Sequence, residues 1–422
     1  MADLQLTDPQ RAQLSGEAGP AAALAMRLVV RMAEMTGATN LTAISRAHID
    51  GCLYHGPASV DFARTLADGG GTVTVPTTLN VGAVDLLHPE LFRGKAEVAA
   101  AARAMMRYYQ AMGCRQTWTC APYQLRDRPG LGEQIAWAES NAIVFANSVL
   151  GARTERYGDF IDICAAIVGH VPMVGLHTDA GRRARVVVRL RQVPTRLLER
   201  DTTFAALGHV LGPLVGGRIP VIVGLDSASE DQLKALGAAA ASSGSVAMFH
   251  VAGVTPEAPT EAAALGGAAP EVTFEIGRSD LRDAVRALTS TTTRQLGAVS
   301  VGTPHFSHAE FVQLRELLGG RRIATEVEFF VSTGRDTLAR IRDEGWEEEL
   351  RSTGLQIVTD TCTYITPILS GRPGAVMTNS AKWAWYAPNN LGYQVVFASL
   401  EECVESAVAG RVWRDESVWE DQ

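Results

Sequence analysis

Short runs of β-branched residues alternate with helix-length stretches along the second half of the chain. The apolar runs lie at 220–225, 245–251, 271–276, 298–302, 322–333, 355–360, 374–379 and 393–399. Amphipathic stretches at 230–242, 280–289, 308–318 and 335–343 separate several of them. Alternation of this kind predicts parallel strands covered by helices. The expected fold class is therefore α/β, with several parallel or mixed sheets around a central cleft.

The first half of the chain follows a looser pattern. Its periodicity predicts helices at 21–36, 95–112 and 132–150, with an isolated strand at 71–77. A chain of 422 residues is too long for one ordinary hydrophobic core. We therefore expect two to three α/β sub-domains, with a division into about 1–200 and 201–422.

Polar residues follow the predicted strands directly, where each apolar run stops. In open parallel sheets, ligands bind at the carboxyl ends of the strands. Several such ends together predict one polar cleft. The strand-end residues that we expect to line it are Thr77, Thr78, Asn80, Thr303, His305, Cys362, Ser380 and Lys382.

The predicted helix 132–150 is mostly apolar yet carries several polar side chains. Residues seven apart lie on one side of a regular helix, which pairs Ser140 with Asn147 and Asn141 with Ser148. Leaving such groups buried and unpaired costs about 1–3 kcal/mol each. We therefore expect this stripe, with Glu139 and the following Arg153, to face the cleft. Pairing within the core remains the alternative.

Composition narrows the classes of function. The net charge of −8 argues against a nucleic-acid or anionic-membrane partner. The N-terminal stretch is polar and acidic, unlike a signal peptide, and no run approaches the ~18 apolar residues of a membrane helix. We expect a cytoplasmic protein. Its six scattered cysteines do not resemble a secreted disulfide framework.

The six cysteines fall into three groups. Cys120 and Cys362 lie among threonines in loop or strand-end contexts, whereas Cys52 follows His48 and Asp50 and stays open. Because a fold can bring distant loops together, ligands of an iron–sulfur cluster need not be close in sequence. The remaining three read as buried core residues: Cys114, Cys164 and Cys403.

Several longer motifs resemble the aconitase X family. They extend from about residue 36 to 410: TVPTTLN, TWTCAPY, AWAESNAIVFANSVLGARTER, VPMVGLH, GSVAMFHVAGVTPEA, PHFSHAEF, TDTC and MTNSAKWAWYAP. The tract at 137–156 is the most specific of them. The resemblance implies the large subunit of an aconitase-like hydro-lyase that holds an iron–sulfur cluster. Similar members are cis-3-hydroxy-L-proline dehydratases or phosphomevalonate dehydratases.

The resemblance also implies ligands and a partner. Cys120 and Cys362 match the family's cluster cysteines, but Thr303 stands where many relatives have a third. A smaller or differently ligated cluster, of 2Fe-2S or 3Fe-4S type, is therefore expected. The family further needs a small swivel domain that carries a catalytic serine. The motifs leave no room for it here, so we expect a separate small subunit and a heterodimer.

The expected reaction removes water from a small hydroxy acid, with cis-3-hydroxy-L-proline the best candidate. Arg153, Thr77, Thr78 and Asn80 would hold the substrate carboxylate. Lys382, His177 and His305 are the candidates for orienting substrate or relaying protons.

Two alternatives stay open. A phosphomevalonate dehydratase would need a phosphate pocket, for which Arg126, Arg128 and Arg156 are candidates. An iron–sulfur sensor or scaffold without turnover is the alternative from another class, and the polar stripe argues against it.

Overall fold

A computed structural model describes residues 4–419 and divides the chain into two compact units. Unit 1 comprises 1–84 and 94–183, and unit 2 comprises 85–93 and 184–422. Among the described residues, no helix combines the length and apolar character needed to cross a membrane.

Unit 1 contains a small parallel sheet enclosed by helices. Its helices are α1 Asp8–Ser15, α2 Pro20–Thr36, α3 Pro57–Asp68, α4 Ala96–Ala111, α5 Ser140–Phe145 and α6 Ile161–Val168. Its strands are β1 Leu41–Ala43, β2 Ala47–Ile49, β3 Thr77–Leu79, β4 Ala136–Trp137 and β5 His170–Pro172. The order β3-β2-β4 is entirely parallel, while β1 and β5 form an antiparallel pair.

Unit 2 contains two larger sheets, both entirely parallel. The first has the order β8-β7-β6-β9, from β6 Val186–Leu190, β7 Pro220–Val223, β8 His250–Val251 and β9 Val272–Ile276. The second has the order β12-β11-β10-β13-β14, from β10 Leu296–Phe306, β11 Glu328–Thr333, β12 Leu355–Val358, β13 Ala375–Thr378 and β14 Val395–Phe397. The α/β class with parallel sheets is thus confirmed.

The helices of unit 2 cover these sheets. They are α7 Thr195–Leu198, α8 Asp201–Val215, α9 Glu230–Gly244, α10 Glu261–Ala264, α11 Arg278–Ala287, α12 His308–Leu318, α13 Arg335–Asp343, α14 Trp346–Ser352, α15 Ala381–Asn390 and α16 Leu400–Ala409. Helices α8 and α9 pack closely because glycines lie at their contact. A Cβ atom on Gly208 would lie 2.1 Å from the Leu236 carbonyl oxygen. This contact fixes α9, which carries the buried Lys234.

Two local predictions for unit 1 are wrong. The helix expected at 132–150 begins only at Ser140, because the preceding residues are extended: Ile135 N–H donates to the Arg153 carbonyl and Arg153 N–H donates to Glu133. Its last turn, Ala146–Leu150, is π-helical. The strand expected at 71–77 enters the sheet only from Thr77 onward.

Candidate active site

The carboxyl edge of the unit 1 sheet gathers three polar side chains. The register pairs Ile49 with Leu79, so the next residues of β2 and β3, Asp50 and Asn80, emerge side by side. The Asn80 side-chain amide donates to the Asp50 carboxylate. Glu139 follows β4 by two residues, and its charge acts on Asp50. Parallel strands therefore bring together residues far apart in sequence.

Thr77 and Thr78, expected at the end of the strand predicted for 71–77, are instead the first two residues of β3. The Thr77 hydroxyl donates to the Val75 carbonyl at 2.8 Å, and the Thr78 hydroxyl contacts His48 Nδ1 at 2.8 Å. Both hydroxyls thus have partners inside unit 1, while Asn80 Oδ1 is buried and has no hydrogen-bond partner among the described residues.

The TWTCAPY segment lies against the end of β3. Thr117 Oγ1 accepts from Leu79 N–H at 2.8 Å, and Thr119 N–H donates to the Leu79 carbonyl at 3.1 Å. Between them, Trp118 has φ of 43°, an outlier for a bulky residue. The segment therefore places the buried Cys120 at the same sheet edge.

The start of α5 is tied to this segment. The Glu139 carboxylate caps α5 by accepting from Ala142 N–H at 2.9 Å, and Ser140 Oγ contacts it at 3.3 Å. The Asn141 side chain donates to the Cys120 carbonyl at 3.0 Å and accepts from Tyr123 Oη at 2.7 Å. Glu139, Ser140 and Asn141 thus belong to the Cys120 environment.

Asn147 and Ser148 are buried. Their spacing of seven residues from Ser140 and Asn141 does not show that the four side chains share one face of the helix. That spacing assumed a regular helix, which the π-helical turn interrupts. Asn147 bonds within the core: its amide donates to the Thr154 carbonyl at 2.9 Å, and its oxygen accepts from Thr154 N–H.

Arg153 and His177 form a neighbouring polar group of unit 1. Arg153 Nη2 pairs with Asp179 at 2.5 Å, and Nη1 donates to the His177 carbonyl at 3.3 Å. His177 Nδ1 contacts Gln134 Oε1 at 2.6 Å, while Nε2 contacts Tyr157 Oη. Burial, with the nearby arginines, lowers the pKa of His177 to about 4. The imidazole is therefore neutral at pH 7.

Asp50 was not singled out from the sequence as a site residue. Burial raises its pKa well above the ordinary value, and the charges of Glu139, Asp159 and Asp162 add to that rise. Asp162 also accepts the backbone N–H groups of Asp50 at 2.7 Å and Gly51 at 3.0 Å. The sequence did contain one signal for Asp50, because in HIDG it is an acidic residue that directly follows a β-strand.

In unit 2, Cys362 is buried, and several polar groups lie close to its sulfur. Burial raises the pKa of its thiol. Four groups oppose this rise because they favour the anion: the backbone N–H groups of Tyr364 and Ile365, the Lys382 ammonium and the Thr303 hydroxyl. These groups offset part of the cost of deprotonating the sulfur, and the thiolate is the form that binds a metal.

The loop before Cys362 is held rigidly. Asp360 has φ of 61°, so a strained non-glycine residue lies two positions before Cys362, just as Trp118 lies two before Cys120. Arg335 clamps the Asp360 carboxylate in two contacts, at 2.6 and 2.8 Å. Strain of this kind costs about 1–3 kcal/mol and clusters at functional sites. Arg335 gave no signal in the sequence, because its partner is distant along the chain.

Thr303, Ser380 and Lys382 line one small open cleft within unit 2. The Ser380 hydroxyl donates to the Thr303 carbonyl and accepts from Trp383 N–H at 3.0 Å, capping α15. The Thr303 hydroxyl is buried and has no hydrogen bond of ordinary geometry among residues 4–419, although it lies beside the Cys362 sulfur.

His305 lies close to the same loop. Its Nε2 contacts the Thr361 carbonyl at 3.1 Å, next to Cys362. Burial lowers the pKa of His305 to about 4, so this imidazole is also neutral at pH 7.

A buried ion cluster, also missed from the sequence, forms another wall of this cleft. The Lys234 ammonium on α9 contacts Asp231 Oδ1 at 2.8 Å and Glu310 Oε2. Ser307, the N-cap of α12, donates its hydroxyl to Asp231 at 2.7 Å. These contacts join α9 to the first turn of α12, which directly follows the Thr303–His305 segment.

The pKa values of the three charged groups in this cluster shift in different ways. Burial raises the pKa of Glu310 to about 7, despite the nearby Lys234. Burial alone would lower the pKa of Lys234, but the Glu310 and Asp231 charges outweigh it and raise it. The pKa of Asp231 is lowered, since Lys234 outweighs its burial. Lys234 and Asp231 therefore form the ion pair, and Glu310 titrates near neutrality.

Among the described residues, no group of three or more His, Cys, Asp and Glu side chains is arranged to hold a metal ion. Cys362 offers one sulfur whose deprotonation the neighbouring N–H groups, Lys382 and Thr303 favour against the effect of burial. Cys52 does not share them: its thiol donates to the Ile49 and Asn80 carbonyls at 3.3 Å, and burial raises its pKa well above the ordinary value.

Comparison with known proteins gives consistent results along the whole chain. A cis-3-hydroxy-L-proline dehydratase of Pseudomonas aeruginosa is 48% identical over 405 residues, which cover 95% of this chain and 69% of that protein. A phosphomevalonate dehydratase large subunit of Methanosarcina mazei is 34% identical, over 97% of this chain and 98% of that one.

A solved structure shares the fold. The crystal structure of Thermococcus kodakaraensis aconitase X (holo-form) matches with a TM-score of 0.86 at 30% identity, over 96% of this chain and 100% of that one. The family descriptions Aconitase X first domain, second domain and third domain match residues 3–180, 184–286 and 296–409 in turn. This chain belongs to the aconitase X family.

Proposed function

We propose that this chain is the large subunit of an iron–sulfur hydro-lyase that dehydrates cis-3-hydroxy-L-proline to pyrroline-2-carboxylate. The observation that carries the proposal is its 48% identity, over 95% of its length, to a protein of that name. Relatives named phosphomevalonate dehydratase large subunit are only 30–34% identical.

Cys120 and Cys362 are the residues that we propose as iron ligands. Each is buried, and each follows a strained residue by two positions. Strain that fixes the direction of a side chain is useful where a ligand must be preorganised. Thr303, whose hydroxyl lies beside the Cys362 sulfur, is the proposed further ligand or hydrogen-bond donor to the cluster.

The reaction is a β-elimination. A proton leaves the carbon next to the carboxylate, the C–O bond to the neighbouring hydroxyl breaks, and a C=C bond forms as water is released. Because hydroxide is a poor leaving group, bound iron would supply the Lewis acid that makes it depart. Since His177 and His305 are neutral at pH 7, neither provides a permanent positive charge.

Binding and orientation of the substrate are assigned to this chain. We propose that Lys382 and Ser380 orient the substrate, because both line the unit 2 cleft beside Thr303. For unit 1 we propose Asn80, Glu139, Ser140 and Asn141, at the sheet edge that also carries Cys120. Arg153 stays our proposed carboxylate clamp, and its contact with Asp179 would then exchange for substrate.

The base that removes the proton is proposed to come from a small swivel-domain subunit with a catalytic serine. The relatives named large subunit support this, since that name implies a small one. We further propose a cytoplasmic heterodimer. Closure by the partner would exclude water and deliver the base in one step.

The test combines the purified chain, prepared anaerobically, with a candidate small swivel-domain subunit. We expect dehydration of cis-3-hydroxy-L-proline, followed by mass spectrometry, only when both proteins are present. If the chain alone dehydrates the substrate, the catalytic base belongs to this chain and not to a small subunit. Turnover of phosphomevalonate instead would favour the other branch, although its candidate phosphate ligands are all exposed: Arg126, Arg128 and Arg156. Iron binding without any turnover would support a sensor or scaffold.

A further inference from the structure

Arg335 occupies a position that is electrostatically unfavourable for a cation. It is the first residue of α13, where the helix dipole presents its positive end. The other basic residues of this helix, Arg340 and Arg342, lie in its last turn, where the dipole favours them. A specific contact must therefore offset the cost of placing a guanidinium at the start of α13.

That contact is a two-point clamp on the Asp360 carboxylate. Arg335 Nε donates to Asp360 Oδ1 at 2.6 Å, and Nη2 donates to Oδ2 at 2.8 Å. The Asp360 side chain is 0% exposed, and its Oδ2 also accepts the Leu86 N–H at 3.1 Å. The charge of Asp85 acts on Asp360 as well. Removal of the guanidinium would therefore leave a buried carboxylate without this cation and close to a second acid.

Asp360 adopts a backbone conformation that normally favours glycine. Its φ of 61° lies in the left-handed region, which is uncommon for a residue with a Cβ atom. A glycine would adopt this φ at lower cost, so the aspartate contributes something that a glycine lacks. Its contact with Arg335 is that contribution. The clamp thus holds a residue whose backbone would otherwise tend to relax.

The strained turn lies two residues before Cys362 and sets the direction of the chain that reaches it. The residues after it form a tight loop, because the Cys362 carbonyl accepts the N–H groups of Ile365 at 3.1 Å and Thr366 at 3.0 Å. Cys362 itself is 2% exposed. A change of φ at Asp360 would rotate this loop and turn the sulfur away from its present direction.

We propose that Arg335 is a positioning residue of the iron site, which fixes the direction of the Cys362 sulfur by holding Asp360. This inference rests on the proposed iron–sulfur function and deepens it. Arg335 acts through Asp360, since it is not among the described residues that line the unit 2 cleft. A ligand that is already held in its binding direction loses less freedom when the metal binds. Loss of the clamp therefore weakens iron binding without removing a ligand.

The experiment uses the full chain, purified anaerobically, and three variants. Arg335→Met removes the charge at similar length, and Arg335→Lys keeps the charge without the planar fork. Arg340→Met is the matched control, because Arg340 is an exposed arginine of the same helix whose partner, Glu344, is also exposed.

Two rates are measured for each protein. The first is the rate at which iodoacetamide alkylates Cys362 and Cys403 after iron has been removed with a chelator, read for each peptide by mass spectrometry. The second is the rate at which the iron-loaded chain releases iron to a chelator, followed by visible absorption. Cys403 reports general unfolding, because it is 0% exposed in the core of the same unit.

Arg335→Met should raise the alkylation rate of Cys362 by about 10- to 100-fold, the value of a lost charge-assisted hydrogen bond. The rate at Cys403 should stay within about threefold of wild type. Iron release should be faster by about tenfold or more. Arg335→Lys should lie between wild type and Arg335→Met, and Arg340→Met should match wild type in both rates.

The double variant Arg335→Met/Asp360→Gly keeps the test decisive if Arg335→Met does not fold. It has no buried carboxylate left without its cation, and its glycine adopts the left-handed φ without strain. Because it still lacks the clamp, its Cys362 should react at least about tenfold faster than in wild type while Cys403 does not.

Failure of this inference differs from failure of the proposed function. If wild type binds iron and either the Cys362 alkylation rate or the iron release rate is unchanged in Arg335→Met, only the assignment to Arg335 is overturned. Equal acceleration at Cys362 and Cys403, in the double variant as well, would also overturn it, since it indicates a general structural role. If wild type binds no iron, the proposed function fails, and the inference with it.

Discussion

Replacement of Lys234 by methionine tests the buried ion cluster most directly. The Lys234 side chain is 3% exposed, and those of Asp231 and Glu310 are 22% and 12% exposed. Removing one partner of a buried pair leaves an uncompensated charge and costs about 3–5 kcal/mol. A methionine fills similar space, so most of that loss reflects the missing charge and not a cavity.

The loss should depend on pH. The folded pKa of Glu310 is about 7, above its unfolded value of 4.5, so wild type loses stability as pH rises from 4.5 to 7 and little beyond. Lys234 lowers the Glu310 pKa, so without it the native carboxyl stays protonated to higher pH than in wild type. The variant then loses about 1.4 kcal/mol more per pH unit above 7. We expect a cost of about 3 kcal/mol at pH 6 and over 4 kcal/mol at pH 8.

The assay follows unit 2 alone, because two units need not unfold together. Cys403 lies in the core of unit 2 and is 0% exposed. Pulsed thiol labelling across a urea series, read for the Cys403 peptide by mass spectrometry, gives the unfolding midpoint at each pH. Arg322→Met, which removes an exposed positive charge from the same unit, is the control and should shift stability by less than about 0.5 kcal/mol.

A second variant separates the loss caused by the missing Lys234 charge from the additional loss caused by titration of Glu310. The double variant Lys234→Met/Glu310→Gln has no carboxyl to titrate at position 310, so its additional loss above pH 7 should disappear. A cost below about 1 kcal/mol at both pH values, or a loss independent of pH, would refute the reasoning about this cluster.

The remaining predictions concern the site itself. Cys362→Ser should lose most of the bound iron, measured by metal analysis and visible absorption, whereas Cys403→Ser should retain it; full retention by Cys362→Ser would falsify the ligand assignment. Arg153→Lys should lower kcat/KM at least about tenfold with the fold intact, because a point charge replaces a bidentate fork; an equal loss in Asp179→Asn would instead trace the effect to their ion pair. Burial lowers the pKa of His305 from 6.5 in the unfolded chain to about 4 in the folded protein. The neutral imidazole therefore contributes to the stability of the fold above pH 6.5, and this contribution is lost as pH falls towards 4. His305→Gln should therefore show a smaller loss of urea midpoint between pH 7 and pH 5 than wild type.

Helices were predicted correctly from the sequence where all the signals that define them lie within a few neighbouring residues. The helices at 308–318 and 335–343 begin and end where the pattern predicts. In the first, Ser307 and Glu310 form a capping box, a signal that lies within four residues. The resemblance of the motifs to aconitase X is likewise confirmed, because such motifs are local stretches of sequence.

Predictions failed where contacts between distant residues override local preference. The stretch 132–150 is apolar and helical in period, yet Ile135 pairs with Arg153 and Ala136 with Arg46, which hold its first part extended. The π-helical turn at Ala146–Leu150 then shifts the side chains that follow. No periodicity within the stretch encodes these pairings.

The sequence alone determined which residue types stand at the strand ends, and hence that polar chemistry belongs there. Only the tertiary structure decided which of them meet. Asp50 comes to lie beside Asn80 because β2 and β3 are parallel and in register. Lys234 becomes a buried ion because α9 packs against the start of α12. Burial and electrostatic pairing depend on distances in space, which a linear pattern of residues does not contain.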